Sequence, residues 1–561
     1  MKRKWIILIV VAVVCTASYL YLHVRKSRDF EPQIKRKLAE LVKKASNGLY
    51  NLDMENVEID ITNFSVTAEN VLLTPDSLRA IELDKLKQLP DNIYTISLKN
   101  LSIRGLSPLD LIQGNNIDIN HIVLDSADVK VFHKTSASNN KDTGNLYSKI
   151  VPAKKSWRIE DLLLQNMHLT IQNADKKNKL SVFKNLSASF TDIRIDSTTQ
   201  NDTTRFLFAR DAVIFLKGYS FRTNDKLYNF SVDSVAIKPQ QDSLSAFNIR
   251  LKPLGTKDEF SKKLPYLKDR YDLLVKKISI KNTHWWNLLA GDGLYGNEMK
   301  IQGGHLEVYE DLRLPKGPNR KEGTYPSQLL MKLSLPISFP KITINGFEVT
   351  YAEFNPASGK SGSVTFTDVE GEIYHFSNMP ELIAHSPVIK VNTRSRLMNA
   401  GLLKADFTFD MHRADKGDFT ANATLGNMDG KVANPTAEAL GLFTIKNGAV
   451  DKLDASITGS NTKAEGTIMF VYHDLEIEFL RKNGEGDIKD RGLLSFLANN
   501  LVLKKSNPSG NNETRIKHIV TDNADGGRTF FNIIWKTIGD GMLVTAKGKY
   551  TLDRLLHPWH R

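Results

Sequence analysis

One phrase in this chain is used twice. Leu101–Phe132, LSIRGLSPLDLIQGNNIDINHIVLDSADVKVF, returns as Ile278–Tyr309, ISIKNTHWWNLLAGDGLYGNEMKIQGGHLEVY, at a constant offset of 177 residues. Ile103 maps to Ile280, Asp110 to Asn287, Val129 to Leu306, Val131 to Val308 and Phe132 to Tyr309. Within the phrase, Leu101/Ile103, Ile117/Ile119, Ile122/Leu124 and Val129/Val131 keep the period of two that marks a half-buried strand. Pro108, Leu109, Leu111 and Ile112 suggest one helical turn between strands. The echo continues beyond the phrase. Leu164, Met167, Leu169 and Ile171 map to Ile344, Phe347, Val349 and Tyr351 at offset 180, and Asn185-Leu186 to Asp368-Val369 at offset 183. A slowly drifting offset is what small loop insertions produce, so the chain reads as a duplicated β module of the stacking, repetitive kind.

The remaining segments extend that pattern. Length (561 residues) allows two to four domains, and an apolar fraction of 41% with 25% charged residues describes a foldable chain. The fold class expected is mainly β with a few helices. After an N-terminal transmembrane helix comes a long, curled, mostly antiparallel repetitive β-sheet forming a groove with duplicated modules; stacked β-sandwiches are the alternative. The boundaries expected are an anchor at 1–28, an amphipathic helix at 29–50, a first β module at 51–255, a second at 256–400 and a C-terminal β region at 401–561. Lys134–Gly144 reads as an exposed loop and 259–276 as partly helical, with Pro265 near its start. Residues 439–445 read as a strand, and a terminal helix presents Phe531, Ile534, Trp535 and Ile538 on one face.

The N-terminus narrows the setting. Trp5–Val24 is a 20-residue apolar run bounded by Lys2-Arg3-Lys4 and Arg25-Lys26-Arg28. A helix of that length reaches about 30 Å, enough for one hydrocarbon core. A cleaved signal peptide fits less well because the run continues past Ala17-Ser18, and a lipoprotein signal because Val14 precedes Cys15. An uncleaved anchor fits best; the equal basic flanks leave its orientation open. Residues 1–44 hold eleven Lys/Arg and three acidic residues, a net +8 of the whole chain's +13. The basic surplus therefore sits beside the apolar run, where it suits anionic headgroups, and a nucleic-acid partner is rejected. Cys15 is the only cysteine, so the body carries no disulfide.

The order of apolar run, EPQIKRKLAELVKKASNGLY, and strands ending in ENVLLTPDSL resembles the opening of AsmA-like envelope proteins, with Glu69-Asn70-Val71-Leu72-Leu73 matching that family's early strand. The C-terminal sequence of strand, tight turn and helix is also similar. The resemblance implies a single-pass inner-membrane protein with its body in the periplasm of a Gram-negative-type bacterium, related to lipid-transfer proteins with repeating β-grooves.

The sequence carries no motif of catalysis or metal binding. There is no phosphate loop, no nucleophile elbow, no zinc-protease helix and no calcium loop in the sequence. Asp118, Asp125 and Asp128 are better read as strand-edge residues than as metal ligands, and Trp285-Trp286 as core or as a membrane or partner contact. The expectation is a non-enzyme without metal or cofactor. Its partners are a phospholipid or other acyl lipid, the membrane and envelope proteins; its function is to bind or conduct lipids in support of outer-membrane homeostasis. A structural scaffold is the alternative. The groove candidates are Leu101, Ile103, Ile119, Val129, Val131, Met167, Leu169 and Ile171, with Ile280, Leu306, Val308, Phe347, Val349 and Tyr351 from the second module.

Overall fold

The computed structural model describes most of residues 35–547, leaving aside chiefly 106–115, 134–155, 174–178, most of 284–292, 316–323, 483–487, 491–502, 510–515 and 524–527. The anchor, the Pro108 turn, the Lys134–Gly144 loop, Trp285-Trp286 and residues 29–34 of the helix at 29–50 lie outside the described residues. Two compact units are formed. One comprises Met1–Tyr219, Asp233–Ser245 and Asn282–Asp292; the other comprises Ser220–Val232, Ala246–Lys281 and Gly293–Arg561.

Strands dominate both units. In chain order they are β1 (Tyr50–Asp60), β2 (Ser65–Pro75), β3 (Asn92–Arg104), β4 (Asn116–His133), β5 (Ser156–Asn173), β6 (Lys179–Ile195) and β7 (Ala209–Arg222), then β8 (Tyr228–Lys238), β9 (Ser243–Pro253), β10 (Arg270–Lys281), β11 (Leu294–Tyr295), β12 (Glu298–Asp311), β13 (Ile337–Asn355) and β14 (Lys360–Ser377). They continue as β15 (Val388–Leu397), β16 (Gly401–Asp410), β17 (Phe419–Leu425), β18 (Met428–Asp429), β19 (Phe443–Gly459), β20 (Lys463–Lys482), β21 (Ile488–Asp490) and β22 (Ile516–Asp522). From β1 to β7 each strand pairs with the next, antiparallel except for the parallel pair β4–β5. In the second unit the order β10-β12-β13-β14-β15-β16-β17-β19-β20-β22 is antiparallel except for β12–β13. The fold is thus mainly β, built on a long, mostly antiparallel sheet that is not closed.

These two parallel pairs, the second extended by the short β11 beside β13, fall at equivalent places in the two echoing segments. A parallel pair needs a crossover of a dozen or more residues, and both modules place theirs at the equivalent position. Val129 faces Leu169 and Val131 faces Ile171 across β4–β5; Leu306 faces Val349 and Val308 faces Tyr351 across β12–β13. Register shifts flank Met167 against β6 and its counterpart Phe347 against β14. Left-handed residues recur too. Ser126 and Gly303 lie 177 residues apart, Asn166 and Gly346 180, and Asn185 and Asp368 183, with φ between 51° and 65°. Such a conformation suits Asn, Asp and Gly, and it lets a bulge take up one extra residue without turning the apolar face outward.

Each unit's sheet is two-faced. The row Ser279, Lys300, Thr343, Glu372, Asn392 and Asp406 crosses β10 to β16 on one side, while the neighbouring row Ile280, Met299, Ile342, Ile373, Val391 and Phe407 crosses the same strands on the other.

Three expectations need correction. Of the partly helical stretch 259–276 only the first three residues are helical, and that helix ends before Pro265 instead of starting near it: α1 (Ser77–Lys85) is followed by α2 (Lys257–Ser261), which starts in a Thr256/Glu259 capping box. Residues from Arg270 belong to β10, where Tyr271, Leu273 and Val275 alternate at the strand period. Residues 437–441 form a single π turn, and Leu442 in the left-handed region (φ 54°) delays the strand to Phe443. After α3 (Pro326–Met331) and α4 (Pro380–His385), α5 (Phe530–Ala546) is the expected terminal helix. It buries Phe530, Ile533, Thr537 and Gly541, however, and leaves Phe531 and Trp535 exposed. The close approach at Gly541, whose position has room for no side chain against Ile468, selects that face.

Candidate functional site

The groove candidates occupy one face in each module, but the two faces differ in exposure. In the first, Leu101 and Ile103 on β3, Ile119, Val129 and Val131 on β4, and Leu169 and Ile171 on β5 are all buried; only Met167, at the bulge, is half-buried. They lie in continuous rows. Val66, Ile103, Ile122, Leu162, Phe190 and Ala212 stand side by side on six strands, with Ile122 at 0% exposure. This is the surface of a core.

In the second module only Ile280 and Val308 are buried; Leu306, Phe347, Val349 and Tyr351 are half-buried. Their rows are equally continuous. Leu273, Leu306, Val349, Phe366 and Leu397 run from β10 to β15, and Tyr271, Val308, Tyr351 and Val364 run beside them. The half-exposed partners Tyr271, Leu273, Met299, Phe366 and Ile373 were missed by sequence reasoning. Those on β10 were hidden by the helical reading of 259–276, although their alternation was the available signal. β13 has 19 residues, which at about 3.3 Å per residue reaches some 60 Å before twist.

Polar groups close one end of this face. Glu310 and Glu353 stand directly opposite each other on β12 and β13, in register with Val308 and Tyr351. The Tyr351 hydroxyl donates to Glu353 Oε1 (2.6 Å) and to Glu310 Oε2 (3.3 Å), and Tyr271 donates to Asp269 Oδ2 at 3.1 Å. Burial, and then the neighbouring carboxylates, push both phenols well above their ordinary pKa. They stay protonated and act as donors.

Across the sheet the apolar rows run under α5. Phe530 packs on Phe407, Phe409 and Phe419 at centroid distances of 6.0, 5.5 and 5.1 Å, and on Tyr325 just before α3 at 5.8 Å. Thr537 Oγ1 donates to Thr521 Oγ1 at 2.7 Å, tying α5 to β22. So the second unit's inner face is a closed core around β16–β22 and a half-open apolar surface over β10–β14.

Among the described residues no cluster of His, Cys, Asp and Glu is arranged to hold a metal ion, and no helix is long and apolar enough to cross a membrane. No known protein family matches the chain by its sequence profile, and no curated protein matches it in sequence.

Proposed function

We propose that this chain is a membrane-anchored envelope protein that holds acyl lipid on the half-open apolar face of β10–β14. The observation that carries the reading is the continuous row Leu273–Leu306–Val349–Phe366–Leu397, whose members are half-buried where their first-module counterparts on β4 and β5 are sealed. An acyl chain brought into water costs about 0.8 kcal/mol per methylene, or about 12 kcal/mol for sixteen carbons. A lining of apolar rows offsets most of that cost, and downhill movement along it needs no nucleotide. The AsmA-like resemblance of the opening residues, up to Leu78, and of the C-terminal region supports the same reading and supplies the setting: an inner-membrane anchor, a periplasmic body and a role in outer-membrane homeostasis.

The test is lipid analysis of the purified full-length chain with a photoreactive acyl probe. Acyl lipid is expected to copurify and to crosslink to β12 and β13. Leu306→Asp with Val349→Asp should reduce crosslinking several-fold while circular dichroism stays unchanged. A chain that binds no lipid in either form would favour the structural scaffold instead.

A further inference from the structure

We propose that α1 is a second contact with the bilayer, docking the base of the first module flat on a membrane surface that bears anionic headgroups. This rests on the anchored reading above. Leu78 is 81% exposed, the highest value among the exposed large apolar side chains described, and Ile81 and Leu86 are each at 55%. At 100° per residue Leu78, Ile81 and Lys85 share one flank, and the single buried residue of the helix, Leu83, points the opposite way. α1 is therefore fixed by its inner side and turns its apolar side outward, with Lys85 and Lys87 exposed beside it.

The occupant follows from where this helix is tied. Arg79 Nε donates to the Asn47 carbonyl (2.8 Å) and Arg79 Nη2 to Asn47 Oδ1 (3.1 Å), while the Asp76 amide donates to the Leu49 carbonyl (2.7 Å). Glu82 is neutralised by the same arginine at 2.7 Å. These bonds hold α1 against the end of the basic segment that carries exposed Lys43 and Lys44. Residues 25–46 separate Asn47, where α1 is tied, from the apolar run, a reach of at most about 75 Å. Exposed leucine and isoleucine flanked by lysines, on a chain tethered to the same bilayer, match an interfacial helix.

The test uses the full-length chain with Cys15→Ala and one new cysteine, Leu78→Cys, Ile81→Cys or the control Lys431→Cys, carrying an environment-sensitive fluorophore. It is reconstituted in vesicles of phosphatidylethanolamine and phosphatidylglycerol, and flotation is measured first. Labels at 78 and 81 should shift to the blue and be quenched by lipid-borne quenchers about 5–10 Å below the headgroups, while the label at 431 does neither. Replacing phosphatidylglycerol with a neutral lipid should weaken the shift. A chain that floats but is quenched no more at 78 and 81 than at 431 overturns the α1 contact and leaves the anchor standing. A blue shift that follows protein concentration without lipid quenching assigns the patch to another protein and also overturns it. Failure to float removes the anchor, and this inference with it.

Discussion

The first and second modules share a register to the residue and differ in what they do with it. Val129 and Leu306 sit at equivalent places beside equivalent partners, Leu169 and Val349. Val129 is 4% exposed, and Leu306 is half-buried. The two segments thus share a backbone register and an alternation and differ in how far that alternation is buried. A sealed row contributes to stability at about 25 cal/mol per Å² of apolar area. A half-open row gives up part of that contribution and keeps a surface that another apolar molecule can cover.

The largest expected effect sets these two positions against each other. Val129→Asp places an unpaired carboxylate in a core and should cost about 4 kcal/mol or more, whereas Leu306→Asp leaves its carboxylate partly hydrated and should cost about 1–2 kcal/mol. Urea unfolding of the two variants measures the gap. Equal losses would mean that the second face is as closed as the first, and the lipid reading would lose its basis.

A smaller effect probes the bulge the modules share. Gly304 takes φ 140°, and a Cβ there would lie 2.1 Å from the Leu274 carbonyl oxygen and 2.8 Å from the Phe347 ring. Its counterpart 177 residues earlier is Ala127, which is buried. Gly304→Ala should therefore destabilise by about 2–3 kcal/mol. The reverse exchange, Ala127→Gly, should cost only about 1 kcal/mol through backbone freedom. Thermal melts of both variants decide whether the second module's bulge is the more strained; similar shifts would show that the two bulges are interchangeable.

Much of this was readable in the sequence because an apolar alternation sets the register of a half-buried strand more firmly than any single residue does. The offsets of 177, 180 and 183 matched β4–β6 to β12–β14, whereas most of β10 was hidden by the helical reading of 259–276. The bulges were less visible. On β4 the buried residues run Ile119, then Ile122 and Leu124, then Ala127, Val129 and Val131, so the period of two jumps phase twice. Ser126 and Asn166 mark such jumps through left-handed backbone, and composition alone does not separate them from turn residues. The burial difference between modules was not readable either, since Val129 and Leu306 are equally apolar. The parallel pairing was hidden because a strand's sequence does not state the direction of its neighbour.

The smallest expected effect is electrostatic and belongs to the first module. Asp192 lies on β6, and burial raises its pKa. That effect is outweighed by hydrogen bonds from Arg194 and Arg205, and the net shift is downward. The Arg205 side chain is only 11% exposed and donates to Asp192 Oδ2 at 3.1 Å and to the Asp192 carbonyl. The equivalent residue 183 positions on is His375, exposed, with Nδ1 at 3.4 Å from the Val388 carbonyl oxygen. A carboxylate with a depressed folded pKa contributes stability above its unfolded value, about 3.9, and loses it as pH falls through the folded value. Asp192→Asn should therefore lower the melting temperature at neutral pH, and the gap from the unsubstituted chain should narrow as the pH drops below about 4. His375→Asn should leave the melt unchanged at pH 7 because no ion pair is lost. A gap for Asp192→Asn that stays constant across the acid range would assign the loss to packing of the Arg205 loop instead of to its charge.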